Sequence, residues 1–334
     1  MTKIVASLNR IYMYSKALNL SFILALIVVI LGAYTRLADA GLGCPDWPGC
    51  YGQLFVPDVV SSEYERPLDV AKAWKEMIHR YAASTLGLSI VVIFLIAVFR
   101  KPDTVRSIKL PTALLLLVVF QGALGMWTVT ELVHPGIVTM HLLGGFSTTA
   151  LIFWLLLNER QTTRLYKPII GRHKTMLTAV IVLLVLQIFL GGWTSTNYAA
   201  LSCGDYFPSC LGEMWPDNMD FKNAYYWGPL GVDYEYGVLE SNTRTAIQMA
   251  HRIGALALTA AIIALSFALR AYVALRKSVS IVIVLLTIQI VLGIMNVVMS
   301  LPMFAATMHN AIGLALLLSL INLAHKMYPK KNSI

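Results

Sequence analysis

Charge is what this sequence has least of. Asp, Glu, Lys and Arg make up 13% of the 334 residues and hydrophobic residues 57%, whereas a soluble domain carries about 25% charge. A water-soluble globule is excluded, and a mean hydropathy of +0.69 sets the class as a polytopic, all-α membrane protein. Cysteine is also scarce, at four residues, none of them in an apolar run. The N-terminus lacks the cleavage site of a signal peptide and the Arg- and Ser-rich bias of a transit peptide. Its first apolar run is long enough to stay in the bilayer as an anchor.

Acidic residues are nearly missing from one side of the expected topology. Apolar stretches near the ~20 residues that cross a bilayer lie at roughly 16–36, 74–98, 109–130, 136–157, 174–195, 246–271, 279–300 and 303–325, which predicts eight transmembrane helices. Basic residues collect in the N-terminal tail (Lys3, Arg10, Lys16), in the loops from Arg100 to Lys109, Arg160 to Lys174 and Arg270 to Lys277, and around Lys326, Lys330 and Lys331. The positive-inside rule places these segments in the cytoplasm. Asp39, Asp46, Glu63 and Asp69 fall in one outer loop, and Asp217, Asp220, Asp233 and Glu235 in another. Both termini are then cytoplasmic, and a bacterial inner (plasma) membrane is the expected location. The pI near 9.4 reports this topology and contact with anionic lipid, so no nucleic-acid partner is inferred.

The chain repeats itself. Glu76-Met-Ile-His79-Arg80 is answered by Gln248-Met-Ala-His251-Arg252, and Gln121 with His141 by Gln289 with His309, 168 positions later. Two pseudo-symmetric four-helix bundles are expected, residues 1–165 and 166–334. The outer loops, about 37–73 and 196–245, open alike: Gly32-Ala-Tyr-Thr35 precedes Cys44-Pro-Asp-Trp-Pro-Gly-Cys50, and Gly191-Gly-Trp-Thr194 precedes Cys203-Gly-Asp-Tyr-Phe-Pro-Ser-Cys210. All four cysteines face the oxidising side, so the disulfides Cys44–Cys50 and Cys203–Cys210 are expected. They are either structural staples or labile pairs that exchange with a thiol partner; a two-thiolate metal site is a weaker reading.

His79, His141, His251 and His309 each lie five to seven positions past the outer start of their apolar run, roughly 8–10 Å deep at 1.5 Å per residue. A lone membrane histidine is commonly a packing residue. Four at matched depth in a duplicated chain instead point to iron ligands, one pair per half, with haem as the first candidate. His134, His173 and His325 have no repeat counterparts and are expected to be solvated or interfacial. Arg36, Arg80 and Arg252 would pair with haem propionates or merely snorkel to the interface. Glu76 lies at i−3 from His79, on the same helix face, where the second copy has the neutral Gln248. One site therefore carries an acid/base group that the other does not, suited to moving protons or else to orienting an imidazole.

These runs, with Met140-His141-Leu-Leu-Gly-Gly, Met308-His309-Asn310 and Gly41-Leu-Gly-Cys44-Pro-Asp-Trp-Pro-Gly-Cys50, resemble the haem A synthase family of cytochrome oxidase assembly over nearly the whole chain. The resemblance implies that His251 and His309 hold a haem b cofactor, that His79 and His141 serve the site for the substrate haem O, and that Glu76 is the family's essential carboxylate. The implied reaction oxidises a ring methyl of haem O to a formyl group. Haem O synthase and cytochrome oxidase assembly factors are the implied partners, and a homo-oligomer is compatible. A dihaem quinol- or cytochrome-type electron carrier and a haem transporter are the rival readings, since each needs bound haem without a consumed porphyrin.

Overall fold

The computed structural model describes residues 2–59, 64, 66–99, 107–159 and 170–328, with side chains from residue 12 onward. Glu63, the segments holding Arg100 and Arg160, the tail lysines Lys330 and Lys331, and the side chains of Lys3 and Arg10 lie outside the described residues.

Eight α-helices make up the described fold: α1 Thr2–Leu37, α2 Val70–Phe99, α3 Lys109–Thr130, α4 Pro135–Glu159, α5 Gly171–Thr196, α6 Ser241–Leu269, α7 Arg276–Val298 and α8 Met303–Met327. All eight are long and apolar enough to cross a membrane. Their ends depart from the apolar runs for local reasons. Nothing between Thr2 and Ser15 is Pro or Gly, so α1 extends beyond the hydrophobic stretch at its N-terminal end. Asp69 caps α2, its Oδ1 accepting the Lys72 N–H at 3.0 Å, and the helix begins at Val70 instead of near 74. In α6 a polar first turn, Ser241-Asn242-Thr243-Arg244, precedes the apolar run. His79 and His251 consequently stand nine and ten positions into their helices, deeper than expected; His141 and His309 stand six in.

The chain forms two compact units, Met1–Thr130 with Gly144–Gln161, and Glu131–Leu143 with Thr162–Ile334. In the first, α1 to α4 all contribute to one core: Tyr14, Leu18 and Ala25, then Leu86, Ile90 and Ile93, then Leu114, then Ile152, Leu155 and Leu156. Within lipid, such helices are held by close packing and polar cross-links more than by the hydrophobic effect, and Ser21 donates to Ser89 at 2.9 Å between α1 and α2. In the second unit Leu177, Val180 and Leu184 of α5, Leu258, Ile262 and Leu265 of α6, Leu286 of α7 and Leu316, Leu320 and Leu323 of α8 are buried. Lys326 Nζ donates to Ser278 at 2.7 Å, tying α8 to α7.

Each outer loop is folded around its disulfide. Cys44 is bonded to Cys50 and Cys203 to Cys210, and all four are fully buried. Beyond each second cysteine the chain turns back on itself through residues of positive φ, Tyr51-Gly52 in one loop and Leu211-Gly212 in the other. Cys50 N–H donates to Gln53 O and Cys210 N–H to Glu213 O, both at 2.7 Å. The two cysteine turns thus follow the same backbone course. Thiol labelling under denaturing, non-reducing conditions should detect no free cysteine in protein from an oxidising compartment; four labelled thiols would refute the pairing.

His134, expected to be solvated or interfacial, is fully buried. Its ring packs against Trp227 and Tyr234, with centroids 5.5 and 5.0 Å away. Nδ1 accepts the Gly136 N–H at 3.2 Å at the start of α4. Tyr234 N–H also donates to Leu132 O at 3.1 Å. The second outer loop supplies a local aromatic cover that no repeat pattern announces. His173 meets the Tyr272 hydroxyl at 3.2 Å.

Candidate functional site

Glu76, His79 and Arg80 share just over one turn of α2. The Glu76 carboxylate is 4% exposed; Oε2 accepts the Cys44 N–H at 2.8 Å, and Oε1 pairs with the Arg80 guanidinium. Arg80 Nη1 also donates to Asp46 O at 2.9 Å and Gly49 O at 2.5 Å. One charge-assisted pair therefore fastens the first disulfide loop to the helix that carries His79. The second half repeats the arginine: Arg252 Nη1 donates to Ser209 O at 2.7 Å and Nη2 to Tyr206 O at 3.1 Å. Of the three expected propionate partners, the two that follow histidines thus have Nη groups on loop carbonyls. Arg36 instead meets Asp39 at 3.3 Å, a partly exposed pair of the kind that contributes little stability.

Three of the four histidines rest against a glycine of the preceding helix. A Cβ built on Gly32 of α1 would stand 2.9 Å from His79 Cε1, one on Gly191 of α5 3.2 Å from His251 Cε1, and one on Gly293 of α7 3.1 Å from His309 Cε1. A side chain at any of the three would press on an imidazole. Gly32 and Gly191 were legible in the sequence only as the opening of a loop; their register with the histidines appears once the helices are paired. Two glutamines complete the second-half set. Gln187 Nε2 lies 2.9 Å from His251 Nδ1, and Gln289 Nε2 lies 3.2 Å from His309 Nε2. His141 sits in the outer turns of α4, which group with the second compact unit.

On the same helices, buried polar atoms without a hydrogen-bond partner accumulate: Gln187 Oε1, Gln289 Oε1, Asn296 Oδ1, Thr307 Oγ1, His309 Nδ1 and Asn310 Oδ1. Folded proteins satisfy nearly all such atoms, so this set fits a bound group that brings its own ligation and polar edge. Among the described residues no three or more His, Cys, Asp and Glu gather as for a bare metal ion, and the four sulfurs are bonded to one another. Imidazoles with glycine-cleared flanks suit porphyrin iron.

Eight membrane-spanning helices, two disulfide-braced outer loops and membrane histidines set against glycines define a polytopic protein of haem-handling type. Residues 16–321 match the family described as cytochrome oxidase assembly protein. The heme A synthase of Shewanella oneidensis is 40% identical over 326 residues, covering 95% of this chain and 97% of that protein. Those of Nitrosospira multiformis and Flavobacterium johnsoniae are 25% and 24% identical, over 90% and 91% of this chain. The chain belongs to the cytochrome oxidase assembly protein family.

Proposed function

We propose that this protein is a haem A synthase, converting haem O to haem A by oxidation of a ring methyl to a formyl group. The observation that carries this reading is the buried Glu76, one turn from His79, where the second half has the neutral Gln248, combined with the match to the Shewanella oneidensis relative over nearly the full length of both chains. In this reading His79 and His141 serve the substrate haem O, and His251 and His309 hold haem b. When bound, haem b supplies a one-electron redox centre.

The chain's own residues supply position and proton handling. Glu76 stands three residues from His79, so the carboxylate can take up protons released as the methyl is oxidised. The Arg80 guanidinium fixes that carboxylate, and Gly32 clears the flank of the His79 ring. Gln248 offers hydrogen bonds but no exchangeable carboxyl proton, which suits a site that retains its haem and leaves it unaltered. The Arg80 and Arg252 side chains hold the disulfide loops over these helices, and their remaining donor capacity, including the buried Arg252 Nε, is available to propionates. In this reading both termini lie in the cytoplasm of a bacterial cell, the loops lie on the oxidising face, and haem O synthase and oxidase assembly factors are the partners.

Mass analysis of haems extracted from membranes that contain haem O, with and without this chain, tests the proposal. Haem A should appear only with the chain. Two retained haems with no new porphyrin would favour an electron carrier, and bound but unchanged haem O would favour a transporter.

A further inference from the structure

We propose that Gly192 of α5 is a positioning residue for His141: it lets α5 back the turn of α4 from which that imidazole projects. This rests on the assignment of His141 to the haem O site. A Cβ built on Gly192 would stand 3.0 Å from Leu142 Cδ2 and 3.1 Å from Thr139 Cγ2, and small residues are what allow membrane helices to approach this closely. Thr139 and Leu142 share one face of α4 at i, i+3. His141 lies between them in sequence, so at roughly 100° per residue it leaves the same turn on a different side. The turn is held from behind, with α5 as its backing.

The backing does not give. Thr139 is fully buried, and its Oγ1 lies 3.3 Å from Thr196 Oγ1, one turn further along α5. Thr196 in turn donates to Trp193 O at 3.3 Å, which leaves Thr139 as the donor to Thr196. Threonine is stiff about χ1, so with its hydroxyl committed to α5 its methyl has nowhere to swing. Leu142 can turn the far end of its side chain aside; Thr139 cannot, and a side chain on residue 192 has to shift the backbone of α4. Three residues before Thr139 on the same face, a Cβ on Gly136 would run into the Trp227 ring of the second outer loop. The outer end of α4 is thus seated at two successive turns.

The neighbouring residue supplies a contrast within the same turn of α5. Gly191 faces His251, where a Cβ would stand 3.2 Å from Cε1, and its counterpart Gly32 faces His79 in the same way. Clearing an imidazole is therefore common to both copies. Gly192 is answered by Ala33, so the second glycine serves something the copies do not share. Consecutive glycines set α5 against a histidine assigned to the resident haem with one residue and against the His141 turn with the next.

The test uses the full-length protein purified with its resident haem. Gly192→Val should leave the content and spectrum of that haem as in the parent, while conversion of haem O falls ~10²-fold, the loss that a misplacement of about 1 Å produces. The Soret shift on titration with haem O should weaken with it. Gly192→Ala should fall between the two, and Thr139→Ser added to it should restore conversion, because serine removes the methyl and keeps the hydroxyl for Thr196. Gly191→Val makes the same change one residue earlier and should disturb the resident haem; a helix merely destabilised by valine would show both losses in both variants. Parent-like conversion by Gly192→Val, loss of its resident haem together with conversion, or failure of Thr139→Ser to rescue haem-loaded Gly192→Ala would overturn the proposal. If Gly192→Val does not accumulate, Gly192→Ala decides, parent-like conversion overturning the proposal and rescue by Thr139→Ser supporting it. His141→Ala separates the two levels: if that variant binds and converts haem O as the parent does, the assignment of His141 to the substrate is what fails.

Discussion

Glu76→Gln should abolish conversion of haem O while leaving the protein folded and loaded with its resident haem. The fall expected for loss of a general acid/base is ~10²-fold or more, with haem O or its hydroxylated product accumulating. The geometry makes this substitution informative. Glutamine keeps a carbonyl oxygen for the Cys44 N–H that Oε2 now accepts at 2.8 Å. It removes the negative partner of Arg80, and breaking a buried pair is costly when the remaining charge is stranded. Here Arg80 retains the carbonyls of Asp46 and Gly49, so the loop should stay docked. Resident haem content and an intact Cys44–Cys50 bond are the checks on folding. Near-normal haem A production at normal expression would reduce Glu76 to an anchor of the disulfide loop.

The histidines should divide into two classes. On the proposed assignment, His251→Ala and His309→Ala should remove the resident haem and its spectrum, since each takes away one of the two residues assigned to hold it. His79→Ala and His141→Ala should leave that spectrum largely intact while abolishing conversion. Optical spectra of the purified variants and haem analysis of their membranes measure both effects. If loss of His79 stripped the resident haem and loss of His251 only slowed turnover, the assignment of cofactor and substrate halves would be reversed.

Much of this was legible in the amino-acid order, for an identifiable reason. Apolar runs of bilayer length fix the number of helices almost regardless of detail, and duplication marks whatever both copies share: four histidines, two cysteine pairs, two His-Arg dipeptides. What lies outside the repeated motifs, it hides. Gln187 has Val28 for a counterpart and His134 has none, so neither stood out. The arginines were visible but their partners were not, because backbone carbonyls of Tyr206, Ser209 and Gly49 leave no side-chain signature. The outward extension of α2 and α6 depends on a cap at Asp69 and a polar first turn at Ser241, signals that a search for hydrophobic stretches passes over.

The aromatic cover on His134 bears on how the gene could be divided. Trp227 and Tyr234 come from the loop between α5 and α6, yet the ring they enclose stands at the head of α4, seven residues before His141. A fragment ending near residue 165 would present that ring, and the opening turn of α4, stripped of their packing. Supplying the remaining residues as a separate chain would have to rebuild the contact across a break. The seam between the two repeats therefore does not coincide with a seam in the packing: a cut at the first places the head of α4 and its aromatic cover on different chains.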